Sequence, residues 1–164
     1  MRLNNKGFTL VEVLAVVVIL AIIGGIAVNG VLSSINKSKE ASYNLMRKDV
    51  FVASQTMYEE ISFGNEIFQY TIDGSIGENV SISDGEIVTN LQTLISNGFL
   101  SGTENSCKGN TGCNKNNRII INPITGEDIG DCNIIIKKSS GDFIVLNNSS
   151  GISKCPSSYE KEVK

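Results

Sequence analysis

Glu12 is the residue whose type and position most strongly indicate a functional role. Every residue from Val13 to Val28 is apolar or Gly, and extension back to Phe8 gives about twenty residues, the length with which a helix crosses a ~30 Å hydrocarbon core. A carboxylate in that setting costs roughly 2.5–3.5 kcal/mol on insertion scales unless a partner neutralises it. The apolar residues on either side offer no hydrogen bond, so we expect a cation to be its partner.

The residues before the apolar block suggest the source of that cation. Arg2 and Lys6 form a short basic leader, and Gly7 is a small residue at the junction with Phe8. If a protease cut after Gly7, the new amine of Phe8 would lie at the membrane edge, where Glu12 of the same or a neighbouring copy would neutralise it. A secretory signal peptide is instead cut after its apolar region, and a plain membrane anchor gives Glu12 no role.

The run K-G-F-T-L-V-E followed by a long apolar helix resembles the cleavage and methylation motif of type IV pilins and related pseudopilins. In that family a prepilin peptidase cuts after the Gly and N-methylates the following Phe, which correspond to Gly7 and Phe8 here. The Glu at the fifth mature position guides docking of a new subunit onto the filament base, and it corresponds to Glu12. Many members have a Pro that kinks the helix, whereas this chain has none before Pro123.

The resemblance implies a non-enzymatic structural subunit of a type IV pilus-like filament, polymerised through its N-terminal helix. Its implied partners are the prepilin peptidase, other pilin subunits in a homo- or heteropolymer, and the pilus assembly platform with its ATPase. It also implies a single-pass cell-membrane protein before assembly and a cell-surface or envelope filament afterwards. Two alternatives stay open: a pseudopilin of a type II secretion or DNA-uptake (competence) system, and a membrane-tethered minor pilin that binds DNA or another ligand.

Composition narrows the chemistry of the remaining chain. The 164 residues contain no His and no Trp, which excludes His-based acid–base catalysis and His metal ligation. No P-loop, nucleophile elbow or Gly-rich phosphate motif is present, and we expect no cofactor. The net charge of −3 argues against bulk attraction to DNA. Lys108, Lys115 and Arg118 form a local basic patch without an aromatic stacking partner between Ser101 and Arg118, so we do not expect a nucleic-acid partner.

Four cysteines lie in the part of the chain expected outside the membrane, at Cys107, Cys113, Cys132 and Cys155. An oxidising compartment and up to two disulfides fit this arrangement. The C-x₅-C spacing lies outside the usual zinc-knuckle spacing, so a zinc site is the less favoured alternative. Four cysteines allow three pairings, of which we favour Cys107 with Cys113 and Cys132 with Cys155.

Three acidic residues, Glu127, Asp128 and Asp131, lie shortly before Cys132. Oxygen ligands at such spacing could bind calcium, as loops of some secretion pseudopilins do. A solvated acidic turn explains the same residues, and they lack the regular ligand spacing of an EF-hand. The sequence therefore predicts no metal site here.

A long helix must position Glu12 and the residues after it. The pattern changes from wholly apolar to amphipathic after Val28 without a Pro, and apolar or small residues continue at intervals of three, four or seven on one helical face, namely Ile35, Ser42, Met46, Val50, Ala53, Met57 and Ile61. We predict one helix from Phe8 to about Ile61, on the order of 80 Å long, ended by Gly64 in a C-cap role.

The sequence after the long helix predicts a small globular domain, which we call the head. Residues 67–72 and 80–83 are expected to form loops or short strands that end in Asp-Gly turns, and Glu86 to Asn97 a second helix with Asp84 as N-cap and Gly98 after its end. Runs at 119–121, 134–136 and 143–146 predict a three-stranded antiparallel sheet, with one more edge strand possible. The predicted fold is α+β, with the second half of the long helix packed on the sheet. The predicted segments are a leader (1–7), a hydrophobic helix (8–30), its amphipathic half (31–63) and the head (64–164).

Overall fold

The computed structural model describes residues 9–70, 76–103, 118–149 and 154–159. Within these ranges, two α-helices and six β-strands follow one another in the order α1 (Leu10–Ser62), β1 (Ile67–Tyr70), β2 (Ile76–Val80), β3 (Glu86–Asn90), α2 (Leu91–Ser96), β4 (Asn133–Ser139), β5 (Asp142–Asn147) and β6 (Ser158–Tyr159). The chain divides into two compact units, Met1–Lys39 and Glu40–Lys164. Helix α1 contributes residues to both units.

Helix α1 ends in a Schellman motif. Gly64 adopts a φ of 87°, a left-handed conformation that glycine reaches without steric cost. The Gly64 N–H donates to the Ile61 carbonyl at 3.0 Å, and the Asn65 N–H donates to the Glu60 carbonyl at 3.2 Å. These two bonds satisfy carbonyls that the end of the helix leaves without partners, so the expected role of Gly64 is confirmed.

The buried face of α1 lies within the unit Glu40–Lys164. Met46, Val50, Ala53 and Met57 are buried, as the periodicity predicted, and Phe51, Ser54 and Tyr58 widen the buried face. Burial begins at Tyr43, so two members of the predicted stripe do not belong to this core: Ile35 is 46% exposed and Ser42 is exposed. Periodicity marks the face of a helix, but the extent of the covering head decides where burial starts.

Two antiparallel sheets follow the helix. Strands β1 and β2 pair in a two-stranded sheet, and the order in the four-stranded sheet is β3-β4-β5-β6. One face of the larger sheet supplies core residues at alternating positions, with Ile87, Ile134, Ile136 and Val145 fully buried, as expected for a sheet with one covered face. The α+β fold with a small antiparallel sheet is therefore confirmed.

The prediction of a helix over residues 86–97 is wrong in its first half. Ser83 and Glu86 exchange two backbone hydrogen bonds of 2.9 Å across a turn whose central residues, Asp84 and Gly85, have φ values of 51° and 77°. Such a two-residue turn starts a hairpin strand rather than a helix. Residues Glu86–Asn90 form β3 and pair with β4 along their whole length.

Helix α2 begins only after β3. Its N-cap is Asn90, not Asp84, because the Asn90 side chain accepts a hydrogen bond from the Thr93 N–H at 2.9 Å, the usual bond of a helix N-cap. Gly98 has a φ of 84° and follows the end of the helix as predicted. The Phe99 N–H then donates to the Leu94 carbonyl at 2.8 Å, completing a second Schellman motif.

The run at residues 119–121 is not a strand of the main sheet. Among the residues that the structure describes, it makes only isolated bridges, between Ile119 and Thr103 and between Ile121 and Asp128. A turn that includes Pro123 reverses the chain directly afterwards, and the Gly126 N–H donates to the Asn122 carbonyl at 2.8 Å. The run therefore meets the segment just after the turn, whereas β3 and β6 complete the sheet around β4 and β5.

Candidate functional site

Glu12 and Thr9 form a reciprocal capping box at the start of α1. Oε2 of Glu12 accepts hydrogen bonds from the Thr9 N–H and the Thr9 hydroxyl, each at 2.9 Å. The Glu12 N–H donates back to the Thr9 hydroxyl oxygen at 3.3 Å. The expectation that the neighbours of Glu12 offer no hydrogen bond is therefore wrong. The T-x-x-E spacing is the sequence signature of this motif, so the residues from Thr9 to Glu12 are enough to predict it.

The capping box places the carboxylate at a defined position while leaving it able to bind a further group. Both bonds from Thr9 go to Oε2, and an ionised carboxylate has about four acceptor positions. Its negative charge at the first turn is also favoured by the helix dipole. Glu12 is exposed and can thus meet a cation from another molecule without breaking the start of its own helix.

The two predicted processing residues, Gly7 and Phe8, lie outside the described residues. In sequence, Phe8 immediately precedes Thr9. An amine created by cleavage after Gly7 would belong to the residue next to the capping box. Cleavage and methylation at this position stay predictions.

The side chains of residues 13–25, which follow Glu12, form an exposed apolar surface. Residues 10–25 are all exposed, with exposed fractions from 81% for Leu10 to 50% for Val18 among the large hydrophobic ones. The most apolar 18-residue window of α1 has a mean hydropathy of 2.9, and none of it is buried. Glu12 is the one charged residue between positions 10 and 36. This helix is long and apolar enough to cross a membrane.

In the unit Glu40–Lys164, a disulfide joins Cys132 to Cys155, with the Cα atoms 5.8 Å apart. This is one of the two pairings favoured from the sequence. Cys132 is fully buried and Cys155 is 9% exposed, so the bond fastens the segment that contains β6 to the start of β4. The other favoured pair, Cys107 and Cys113, lies outside the described residues.

The acidic turn before Cys132 is occupied by a lysine ammonium. Nζ of Lys154 donates to the Asp128 carbonyl and to Oδ2 of Asp131, each at 2.9 Å. Oδ1 of Asp128 accepts a hydrogen bond from the Gly130 N–H at 2.9 Å, and Glu127 is exposed. Within the described residues, no three His, Cys, Asp or Glu side chains are arranged to bind a metal ion. Lys154, next to Cys155, supplies the positive charge at this turn.

The structure describes only one member of the predicted basic patch. The Arg118 carbonyl accepts a hydrogen bond from Nε2 of Gln92 at 3.0 Å, which fixes the backbone of this segment against α2. Lys108 and Lys115 lie outside the described ranges. Arg118 thus has a structural contact, and the patch itself stays a prediction.

Comparison with known proteins identifies the N-terminal segment. A family profile described as the prokaryotic N-terminal methylation motif matches residues 2–28. No curated protein and no solved structure matches the chain. The matched residues include Gly7, Phe8 and the capping box of Thr9 and Glu12. Residues 2–28 therefore carry the type IV pilin-type prepilin motif.

Proposed function

We propose that this protein is a structural subunit of a type IV pilus-like filament, cut after Gly7 and N-methylated at Phe8 by a prepilin peptidase. The observation that carries the proposal is the methylation motif over residues 2–28, which leads directly into an exposed apolar helix. In this proposal the chain is a substrate of the peptidase rather than an enzyme, so no catalytic residue is proposed. The precursor is held in the membrane by α1 and moves into a surface or envelope filament on assembly.

Polymerisation follows from the need to cover the first part of α1. Its apolar side chains are exposed in the single chain, and exposure of so much contiguous apolar surface to water is unfavourable. Lipid covers this surface before assembly. In the filament, the same surface packs against the equivalent helices of other copies or of related subunits. The assembly platform and its ATPase move the subunit between these two environments.

Glu12 has two separable roles in this proposal. Its side chain caps the first turn of α1 through Thr9, and its negative charge pairs with the Phe8 amine of the same or a neighbouring subunit. A charge in an apolar surrounding is costly without a counter-charge, so the pair favours the assembled state. The capping box contributes by holding the carboxylate at the start of the helix.

Three substitutions separate these roles. Glu12→Gln removes the charge but keeps a side-chain oxygen that accepts from Thr9, since Gln serves as well as Glu in a capping box. Thr9→Ala removes the hydroxyl and keeps the charge, and Thr9→Ser is the matched control that keeps both. We expect Glu12→Gln to insert and to be cut normally but to be depleted from filaments. Thr9→Ala should have a milder effect, and Thr9→Ser should match the unchanged protein.

Immunoblots of membrane and sheared-surface fractions measure insertion and assembly, and mass spectrometry of the N-terminus measures processing. Normal amounts of Glu12→Gln in surface filaments would contradict the charge pairing. A mature N-terminus other than Phe8 would contradict the processing step. A correctly processed subunit confined to the envelope would favour a pseudopilin of a secretion or DNA-uptake system.

A further inference from the structure

The four-stranded sheet has a second face, on the side away from its buried core residues. Side chains alternate between the two faces of a strand, so this outer sheet face carries the even-numbered residues of β3 and β5 and the odd-numbered residues of β4. Its central members are Glu86, Val88, Ile135, Lys137, Ile144 and Leu146. A sheet with one covered face commonly presents polar side chains on the other face. Four of these six residues are apolar instead.

The register of the strands brings the four apolar residues together. Val88 lies opposite Ile135, and Ile135 lies opposite Leu146. Ile144 is the neighbour of Leu146 on the same face of β5. Val88, Ile144 and Leu146 are 55%, 43% and 38% exposed, whereas Ile135 in the central strand is half-buried. The four side chains form one contiguous apolar patch, and a contiguous patch with a polar rim is typical of an interaction site.

An ion pair lies at one corner of this patch. Glu86 and Lys137 are opposite each other in β3 and β4, and Nζ of Lys137 donates to Oε1 of Glu86. Their side chains are 38% and 36% exposed, so each can also meet a charge from another molecule. On β3 and β4 the outer sheet face therefore has an acidic group beside a basic one, next to Val88 beside Ile135.

This arrangement of charged and apolar groups is self-complementary. Two copies can pack face to face about a two-fold axis that runs parallel to the strands, midway between β3 and β4. Glu86 of one copy then lies over Lys137 of the second copy, and Val88 lies over Ile135. An axis along β4 would instead place Lys137 over Lys137, and like charges that meet across an interface are unfavourable. Charge therefore selects the first arrangement.

We propose that the outer sheet face docks against the same face of a second copy of this chain. This docking goes beyond the filament function and does not depend on processing or on filament assembly. Six residues are few beside the roughly 20–30 on each side of a stable interface, so a single pair of copies binds weakly. Where α1 holds many copies on one surface, many contacts form together and the avidity is high. The docking thus joins two surfaces that both display this chain.

Clustering of lipid vesicles tests the proposal with the full chain. The chain is reconstituted through α1 into phosphatidylcholine vesicles, which have no net charge, and dynamic light scattering follows the growth of vesicle clusters. We expect the unchanged chain to cluster the vesicles. Val88→Lys should slow clustering roughly tenfold or more, because it places an unpaired charge over the apolar Ile135 of the second copy.

Ile124→Lys is the matched control for Val88→Lys. Ile124 is 48% exposed and lies in the turn after residues 119–121, outside the sheet. This variant adds the same charge and should cluster vesicles as fast as the unchanged chain. The proposal would be overturned by an unchanged chain that does not cluster vesicles, by a Val88→Lys variant that clusters them normally, or by equal slowing in the two variants.

Two charge variants test how the copies face each other. Glu86→Lys makes both members of the ion pair basic, and Lys137→Glu makes both acidic, so vesicles that carry either variant alone should cluster slowly. Mixing the two kinds of vesicle should restore clustering, since each basic group then faces an acidic one. Glu127→Lys and Lys48→Glu change the net charge equally at exposed positions outside the sheet and should cluster normally alone. A mixture of Glu86→Lys and Lys137→Glu vesicles that stays dispersed would overturn the facing of Glu86 and Lys137, and the proposal with it.

Discussion

Removal of the disulfide between Cys132 and Cys155 should destabilise the unit Glu40–Lys164 by more than the loss of any single polar contact in it. The bond joins the start of β4 to the segment that carries β6, across a sequence separation of 23 residues. Replacing both cysteines by alanine removes the bond without leaving a free thiol. The non-covalent contacts of the segment, such as the hydrogen bond from Nε of Arg47 to the Ser158 carbonyl at 2.8 Å, remain possible in the variant.

The expected loss of unfolding free energy follows from the length of the loop that the disulfide closes. In the chain-entropy description, a cross-link over about 23 residues removes enough freedom from the unfolded chain to stabilise the fold by about 3.4 kcal/mol at 25 °C. The ion pair of Lys154 with Asp131 spans the same separation, but its side chains are 23% and 41% exposed. Exposed pairs of this kind contribute roughly 0.2–1 kcal/mol. The disulfide should therefore outweigh the ion pair several-fold.

Denaturant unfolding in detergent micelles, followed by tyrosine fluorescence, measures this difference. The chain has no Trp and four Tyr, at positions 43, 58, 70 and 159, so the signal comes only from the unit Glu40–Lys164. Adding a reductant would be a poorer test because it would also reduce the predicted disulfide between Cys107 and Cys113, which the double variant leaves unchanged. Lys154→Met is the matched control, since it alters the residue next to Cys155 and keeps the disulfide.

Two results would refute the reasoning. A loss below about 1 kcal/mol for the double alanine variant would mean that closing this loop restricts the unfolded chain far less than its length implies. A loss equal to that of Lys154→Met would mean that covalent closure adds nothing to the polar contacts of the same segment.

Three further predictions concern the same unit. Thr89→Val should raise the free energy of unfolding by about 1–2 kcal/mol, because the buried Thr89 hydroxyl has no hydrogen-bond partner among the described residues; a loss of stability in the same unfolding assay would contradict this. Burial of the Tyr159 side chain raises its pKa, and the nearby Tyr43 raises it further by a smaller amount. The stability that the neutral form of Tyr159 contributes is thus complete below pH ~10, the ordinary tyrosine pKa, and is lost as the pH rises above it. In unfolding experiments across alkaline pH, Tyr159→Phe should remove this loss of stability. Gly64→Ala should cost roughly 1–2 kcal/mol because its φ of +87° strains any L side chain, although nothing lies within 4 Å of the added Cβ; an unchanged unfolding midpoint would argue against this strain.

Local patterns made the long helix predictable. The absence of Pro, the shift from an apolar to an amphipathic pattern and Gly64 after the last turn together predicted a helix ending near Ile61, and α1 runs from Leu10 to Ser62. The motif residues Gly7, Phe8 and Glu12 were equally accessible because they lie within six consecutive positions of the sequence. The bond between Thr9 and Glu12 also has a local signal, T-x-x-E, but the apolar residues around Glu12 hide it because Thr9 is the one polar side chain next to them that can bond to the carboxylate.

The start of α2 was mispredicted because a short apolar run fits two periodicities. Ile87, Leu91 and Leu94 lie at helical spacing, but Ile87 and Thr89 also fit the two-residue alternation of a strand. Pairing with β4 resolved the ambiguity in favour of β3. Short runs carry too little local preference to outweigh a partner strand that lies more than forty residues away in sequence.

What the sequence determined by itself is the set of features that residues close together in the chain carry, namely the methylation motif, the apolar span and the capping residues of α1, together with the number of cysteines available to pair. Only the tertiary structure decided that Cys132 pairs with Cys155, that Lys154 meets Asp131, and that β6 pairs with β5. Local features depend on interactions that the chain makes with itself at short range, where few conformations compete. Contacts across 23 residues or more exist only after loop closure, and which loops close depends on the packing of the whole core around Val50, Met57 and Ile134.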